Sequence, residues 1–248
     1  MLQQRAIYDE EHHIFRDAVR KFFVAEAVPH AQSWSDAGKV PRTFWNQLGE
    51  AGLLCPQLPE EYGGVGGDYR LNCIINEEQV YNRAGGAAIA VHSDIVAPYL
   101  HDYGSDDLKE RILPKMATGE MVGAIAMTEP GTGSDLQGMR TTAKLDGNHY
   151  VVNGSKTFIS NGQNCDFVIV ACKTDASAGA KGVSLIVVEA DREGFKRGRN
   201  LDKIGQHSSD TSELFFDNVR VPATNIIGHE GAGFMYLMQQ LPQERLSI

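Results

Sequence analysis

The chain has 248 residues, of which 42% are hydrophobic and 22% are charged, and its formal net charge is −9. This composition is typical of globular proteins, and the length suits one large domain or two smaller ones. The negative charge argues against nucleic acid or an anionic membrane as the main partner, and no apolar run is long enough to span a bilayer. The cysteines show no metal-ligand spacing and are interpreted as free thiols in a reducing compartment: Cys55, Cys73, Cys165 and Cys172.

Residues 1–120 are predicted to form a helical domain. The first helix carries an apolar stripe at helical spacing, formed by Phe15, Ala18, Val19, Phe22 and Phe23. A short helix is expected to begin at Pro41 and to end at Gly49. Further helices are predicted over 71–84 and 86–103, and Ser105 is expected to cap the next one. The glycine-rich loop 56–67 lacks the third glycine and the context of a dinucleotide-binding fingerprint.

Residues 121–228 are predicted to form a domain of short β-strands. The strands are expected at 121–127, 141–145, 149–152, 156–160, 167–172, 183–188 and 214–221. Turns are predicted at Asp146-Gly147, Asn153-Gly154 and Asn161-Gly162, because such pairs tolerate positive φ. Helices followed by strands indicate an α+β protein with segregated domains rather than alternating βαβ units.

Residues 231–248 are predicted to begin a new helix. One face of this helix carries Phe234, Leu237, Met238 and Leu241, and Pro242 would kink the helix. An amphipathic helix at the end of the chain, without a partner bundle, would expose its apolar face, so we expect a fragment of a longer protein rather than the alternative, a natural truncation.

The loop that follows the first strand is rich in small residues. It turns at Pro130, Gly131 and Gly133, and short polar side chains surround the turn. Glycines allow the backbone to approach a flat or phosphorylated ligand closely. Loops of this composition are also common as ordinary turns, so the turn chemistry alone leaves both interpretations open.

Two longer blocks add a family resemblance. Residues 127–135 (MTEPGTGSD) and 153–162 (NGSKTFISNG) resemble the flavin-binding middle domain of the acyl-CoA dehydrogenases, in the same order and at a similar separation. The resemblance extends over essentially the whole chain. It implies an N-terminal helical bundle (1–120), an antiparallel β-barrel or sandwich (121–228), and the first helix of a C-terminal helical domain (229–248).

The resemblance also implies FAD as cofactor and an acyl-CoA as substrate. In this family a carboxylate removes the α-proton while the β-hydrogen leaves as hydride to the flavin. The cofactor-binding residues implied by the motif are Ile125, Met127, Thr128, Gly133, Ser134, Phe158, Ile159 and Ser160. Phe158 and Ser160 stand where many relatives have Trp and Thr, and both keep the chemistry of an aromatic face and a hydroxyl. The alternative for Phe158 is a strand core residue.

The last helix is similar to that of the long-chain branch of the family. Its sequence from Leu241 to Leu246 (LPQERL) implies that Glu244 is the catalytic base, with Arg245 and Ser134 at the substrate. The alternative is an exposed helical glutamate beside Arg245. Candidate cations for the CoA phosphates are Arg140, Lys144 and Lys156. His207 is interpreted as a surface residue rather than a catalytic one.

These expectations describe an enzyme of fatty acid β-oxidation that converts a long-chain acyl-CoA to trans-2-enoyl-CoA. The family implies an electron-transferring flavoprotein as acceptor, a homo-oligomer for the full-length chain, and a cytoplasmic location in bacteria or the mitochondrial matrix in eukaryotes. Two alternatives stay open: an acyl-CoA oxidase that passes electrons to oxygen, and a binding module without turnover.

Overall fold

The structure, a computed structural model, describes residues 6–248. Its helices are α1 (Glu10–Glu26), α2 (Ala31–Ala37), α3 (Arg42–Glu50), α4 (Tyr69–Tyr81), a π-helical segment (Val91–Val96) that continues into α5 (Ala97–Tyr103), α6 (Asp106–Ala117) and α7 (Gly233–Ser247). Among the helices of this described range, none combines the length and the apolar character that a membrane crossing requires. Cys55, Cys165 and Cys172 are free thiols, as predicted.

The N-terminal helices form where the apolar spacing predicted them, and α2 is an additional short helix. On α1, Val19 and Phe23 are buried, and Phe15 and Phe22 pack against the same cluster. The Ser105 hydroxyl caps α6 by accepting a hydrogen bond from the Leu108 amide at 3.3 Å. Capping of this kind satisfies a backbone donor that the first turn of a helix leaves free.

The predicted helix over 86–103 differs from the observed one, because it contains the π-helical segment. Pro98 has no N–H to donate to the Asp94 carbonyl four residues earlier. The Gln243 side chain of α7 donates to that carbonyl instead, at 2.8 Å. Such π-segments are often found at functional sites, and this one brings the end of α7 against the start of α5.

The strands are β1 (Gly123–Ala126), β2 (Thr142–Asp146), β3 (His149–Ser160), β4 (Phe167–Lys173), β5 (Val183–Glu189), β6 (Phe195–Asn200) and β7 (Thr211–Pro222). They form one seven-stranded sheet in the order β1-β4-β2-β3-β7-β6, with β5 on β4. β1 and β2 both pair with β4 in parallel. The helix-then-sheet architecture is confirmed, and the sheet is mixed where the sequence predicted an antiparallel one.

Two of the predicted turns are wrong in detail. Asp146 pairs with His149, so the hairpin turn consists of Gly147 and Asn148, and only Gly147 has a positive φ. Asn153-Gly154 lies inside β3 at an irregularity in its pairing with β7. An added Cβ at Gly154 would meet Thr141 at 2.4 Å, so this position needs glycine for close approach rather than for a turn.

β4 is buried on both of its faces and separates two cores. Phe167, Ile169 and Ala171 face a cluster that contains residues of α5, α6 and α7. Val168 and Val170 face a second cluster, inside the curled sheet. The alternation follows from the period of two along a strand. The helices α5 and α7 therefore pack together on the outer face of β4 and β5.

Candidate functional site

A buried ion pair anchors the loop after β1. Glu129 accepts hydrogen bonds from Lys156 Nζ at 3.0 Å and from the amides of Arg140 and Thr141 at 2.7 and 2.9 Å. Lys156 also donates to the Met127 carbonyl at 2.9 Å. Burial would raise the pKa of Glu129, but the Lys156 charge and the two amides outweigh it and hold this pKa below its ordinary value.

This pair corrects the sequence interpretation of Lys156 as a cation for CoA phosphates. Its side chain is fully buried and already neutralises Glu129, whereas Arg140 and Lys144 are exposed. The sequence offered one signal, since a lysine at an inward position of an apolar strand needs a buried partner. The partner itself could not be identified from sequence.

The two motif blocks form a single surface. The Thr157 amide donates to the Thr128 carbonyl at 3.0 Å. At the other end of β1, the Asn161 side chain donates to the Gly123 carbonyl at 3.3 Å. β1 and its loop are therefore fixed to the end of β3.

Several polar groups of the two blocks have no hydrogen-bond partner among the described residues. A Cβ built on Gly131 or Gly133 would meet no atom within 4 Å, so both glycines border open space. Within residues 6–248, the Thr128, Ser134 and Ser160 hydroxyls and the Gly133 and Ser134 amides donate no hydrogen bond. These groups are available to donate to a ligand.

Phe158 projects from β3 beside these donors. Its side chain is 66% exposed and its φ is +60°, a conformation that costs a bulky residue about 1–3 kcal/mol. The predicted alternative, a strand core residue, is therefore wrong. Ile159 lies on the opposite side, with its side chain buried in the core of the sheet, so the sequence-predicted site residues do not all share one face.

The flavin-motif residues of β1 lie next to the helical core. Ile125 and Met127 are half-buried and pack against the cluster that contains Tyr99 and Leu237. This cluster connects the loop after β1 with α5 and α7. The candidate base and the candidate flavin surface therefore border one common core.

Glu244 lies near the end of α7 and is only 5% exposed. The Tyr99 hydroxyl donates a hydrogen bond to Glu244 Oε1 at 2.6 Å. Burial raises the pKa of Glu244, and the hydrogen bond from Tyr99 opposes that increase. The alternative of an exposed glutamate is wrong, whereas Arg245 and His207 are both exposed.

Sequence reasoning missed Tyr99 and Gln243, which hold this end of α7. Tyr99 is 145 residues from Glu244 in the chain, and an aromatic residue in an apolar helix is ordinarily assigned to the core. No local pattern carries information on such a contact. Only the packing of α7 on α5 reveals it.

Comparisons with known proteins match two consecutive segments of the chain. Residues 9–120 match the family model for "Acyl-CoA dehydrogenase, N-terminal domain", and residues 124–219 match "Acyl-CoA dehydrogenase, middle domain". A long-chain specific acyl-CoA dehydrogenase from Sus scrofa is 50% identical over 246 residues, which cover 98% of this chain and 57% of the relative. The chain thus spans little more than half the length of this relative.

Solved structures share the fold. A crystal structure of an acyl-CoA dehydrogenase from Geobacillus kaustophilus has a TM-score of 0.94 and 51% identity, and the match covers 98% of this chain and 65% of that one. A glutaryl-CoA dehydrogenase from Mycobacterium smegmatis, in complex with FADH2, has a TM-score of 0.88 and 28% identity, covering 97% of this chain and 61% of that one.

Proposed function

Because the chain belongs to the acyl-CoA dehydrogenase family, we propose that it carries the flavin surface and the catalytic base of an FAD-dependent dehydrogenase. Its substrate is a long-chain fatty acyl-CoA, and its product is the trans-2-enoyl-CoA. The observation that carries the proposal is the buried Glu244 carboxylate, held by Tyr99 in the core cluster against which Ile125 and Met127 pack. The preference for long chains is supported by the 50% identity to the Sus scrofa enzyme.

The loop after β1 fits a flat cofactor such as FAD. Phe158 offers an exposed ring, and Thr128, Ser134 and Ser160 offer hydroxyls without partners in the described chain. The open space at Gly133 allows close approach to its backbone. A bound flavin would supply the acceptor for the hydride that leaves Cβ of the substrate.

Glu244 is proposed to take the α-proton of the substrate. A carboxylate whose pKa is raised by burial is a stronger base than an exposed one. The proton from Cα passes to the Glu244 carboxylate, and the C–H electron pair forms the new double bond. Ser134 and Arg245, both exposed, are the proposed substrate contacts.

The electron acceptor and the oligomeric state are proposed from the family alone. We infer that an electron-transferring flavoprotein reoxidises the cofactor and that the full-length protein is a homo-oligomer. The compartment would be the bacterial cytoplasm or the mitochondrial matrix.

The visible spectrum of the flavin-loaded protein tests the proposal. Addition of a saturated long-chain acyl-CoA without oxygen is expected to bleach the flavin band. Glu244→Gln is expected to keep the band and to slow bleaching by at least about 1,000-fold, because the α-proton then has no base. Glu110→Gln, at an exposed position of α6, is the control for the loss of one negative charge.

Several results would contradict the proposal. Protein that binds no flavin would exclude the cofactor assignment. A flavin band that no acyl-CoA bleaches would favour a binding module without turnover. Bleaching at an unchanged rate in the Glu244→Gln variant would place the base elsewhere.

A further inference from the structure

The Tyr99 hydroxyl is the one side-chain donor that Glu244 has within residues 6–248. Tyr99 lies on α5 and Glu244 on α7, and the donor–acceptor distance of 2.6 Å is that of a charge-assisted hydrogen bond from a hydroxyl to a carboxylate. The second oxygen, Oε2, accepts no hydrogen bond from the described residues. Tyr99 therefore holds Oε1, whereas Oε2 stays available to accept a proton.

The packing around Tyr99 makes its position rigid. The residue is 0% exposed and belongs to the core cluster between the helices and the sheet. The segment before it is held to α7 by the hydrogen bond from Gln243 to the Asp94 carbonyl. The hydroxyl cannot follow Glu244 to another position without disturbing this core.

From this geometry we propose that Tyr99 is a positioning residue, whose hydroxyl orients the Glu244 carboxylate and keeps it anionic for removal of the substrate's α-proton. The inference rests on the proposed role of Glu244 as base. The contact fixes Oε1 towards α5, so that Oε2 is the oxygen that takes the proton. Tyr99 does not touch the reacting atoms.

The surrounding charges do not replace this hydrogen bond. Among the described residues, the other titratable or charged groups on α7 itself and on the elements packed against it are His92, Asp94, His101, Asp102, Tyr103, Lys181, Glu189, Tyr236 and Arg245. None of them forms a hydrogen bond or an ion pair with the Glu244 carboxylate. Asp94 is bonded by Asn72 and Asn76, and Asp102 accepts from Gln240.

Tyr99→Phe removes the hydroxyl and keeps the ring that packs in the core. Glu244 would then be a buried carboxylate without a donor, and its proton affinity would increase. Loss of a hydrogen bond to a charged group predicts a rate of flavin bleaching at least about tenfold lower on the acid side of the pH profile. The rate should recover as the pH rises and Glu244 ionises.

Tyr103→Phe is the matched control. The Tyr103 hydroxyl donates to Gln239 at 2.9 Å, so it also connects α5 to α7, one turn away. Its ring stacks on Tyr236 with centroids 4.1 Å apart, and phenylalanine keeps that contact. This variant loses an interhelical hydrogen bond without affecting Glu244, so its pH profile should match the wild type.

The direct measurement is the titration of the Glu244 carboxyl by NMR in protein labelled with ¹³C at the glutamate carboxyl groups, with Glu244→Gln to assign the signal. The inference predicts a titration at higher pH in Tyr99→Phe and an unchanged one in Tyr103→Phe. An unchanged titration in Tyr99→Phe, or an equal shift in both variants, would overturn it.

The titration needs neither flavin nor substrate, so it separates this inference from the proposed function. In Tyr99→Phe, a shifted titration of Glu244 together with a shifted pH profile of bleaching supports both this inference and the proposed function. A shifted titration in a protein that no acyl-CoA bleaches supports the contact but overturns its catalytic use, along with the proposed function. A pH-independent loss of rate in Tyr99→Phe would mean that the hydroxyl has only a structural role.

Discussion

At the scale of single residues, Phe158 shows a conflict between the stability of the chain and the binding of a ligand. A phenylalanine at positive φ is strained, and its ring gains little burial in return. Phe158→Gly removes the strain but adds the entropy cost of glycine, so the free energy of unfolding should stay within about 1 kcal/mol of the wild type. Flavin affinity should fall at least about tenfold with the loss of the ring. Thermal unfolding and flavin fluorescence titration measure the two effects.

Phe215 provides the control for this prediction. It is an exposed phenylalanine at 42% on β7, with no positive φ. Phe215→Gly should lower the free energy of unfolding by about 0.5–1 kcal/mol, as glycine does inside a strand, and should leave flavin affinity unchanged. If Phe158→Gly destabilised the protein as much and kept its flavin affinity, Phe158 would be an ordinary strand residue.

The sequence motif predicted a set of site residues, but it did not predict the direction and the contacts of each side chain. Thr128, Ser134 and Phe158 were predicted from the motif, and the structure gives each of them a free hydroxyl or an exposed ring. Lys156 lies in the same motif, yet its function is to neutralise Glu129. A motif records which residue types occur together, whereas the direction of a side chain depends on bulges and on partners that are distant in sequence.

At the scale of secondary structure, Gln243 supplies one of the hydrogen bonds that join α7 to the segment before α5. Gln243 donates to the Asp94 carbonyl, which Pro98 leaves without its helical partner. Gln243→Leu would leave this carbonyl unsatisfied and should lower the free energy of unfolding by about 1–2 kcal/mol. Urea unfolding measures the difference.

Gln240→Leu serves as the comparison, because Gln240 donates to the exposed Asp102 carboxylate on the same pair of helices. Water can replace that partner, so the change should stay within about 0.5 kcal/mol. Equal stability of the two variants would show that the Asp94 carbonyl finds another donor.

The elements themselves were predictable to different degrees. Helix α1 has a strong periodic pattern and β4 is a continuous apolar run, and both formed as expected. β6 (Phe195–Asn200) was missed because its sequence, FKRGRN, is polar on both faces, which is typical of an edge strand. The parallel pairing of β1 with β4 depends on contacts between distant segments, and local patterns carry no information on them.

At the scale of the whole molecule, two buried groups of the π-helical segment make opposite contributions to the pH dependence of stability. Burial lowers the pKa of His92 to about 4 from 6.5, so the unfolded chain binds more protons between these values and stability falls as the pH falls. Burial raises the pKa of Asp94 from 3.8 to about 6, so the folded chain binds more protons and stability rises as the pH falls. The two effects nearly cancel between pH of about 4 and about 6.

Asp94→Asn removes the stabilisation that Asp94 contributes as the pH falls and leaves the destabilisation that His92 contributes. The free energy of unfolding should decrease by about 2 kcal/mol more in the variant than in the wild type when the pH is lowered from about 7 to about 4.5. The amide fits the site, because Asn72 Oδ1 is buried without a hydrogen-bond partner and a rotated Asn72 amide would accept from the new donor. Urea unfolding at the two pH values, with the exposed Asp191→Asn as control, measures this difference.

Because of the position of His92, the pH dependence of stability is a property of the whole molecule. Its ring contacts the Met116 carbonyl and accepts from the Gly123 amide, each at 3.1 Å, and so connects α6 with β1. A protonated ring could not accept from Gly123, so acid should separate the helical layer from the sheet in a single transition rather than loosen one loop.

If the Asp94→Asn variant and the wild type lost equal stability in acid, Asp94 would be ionised in the folded protein throughout this range, and the polar cluster around it would stabilise the charge.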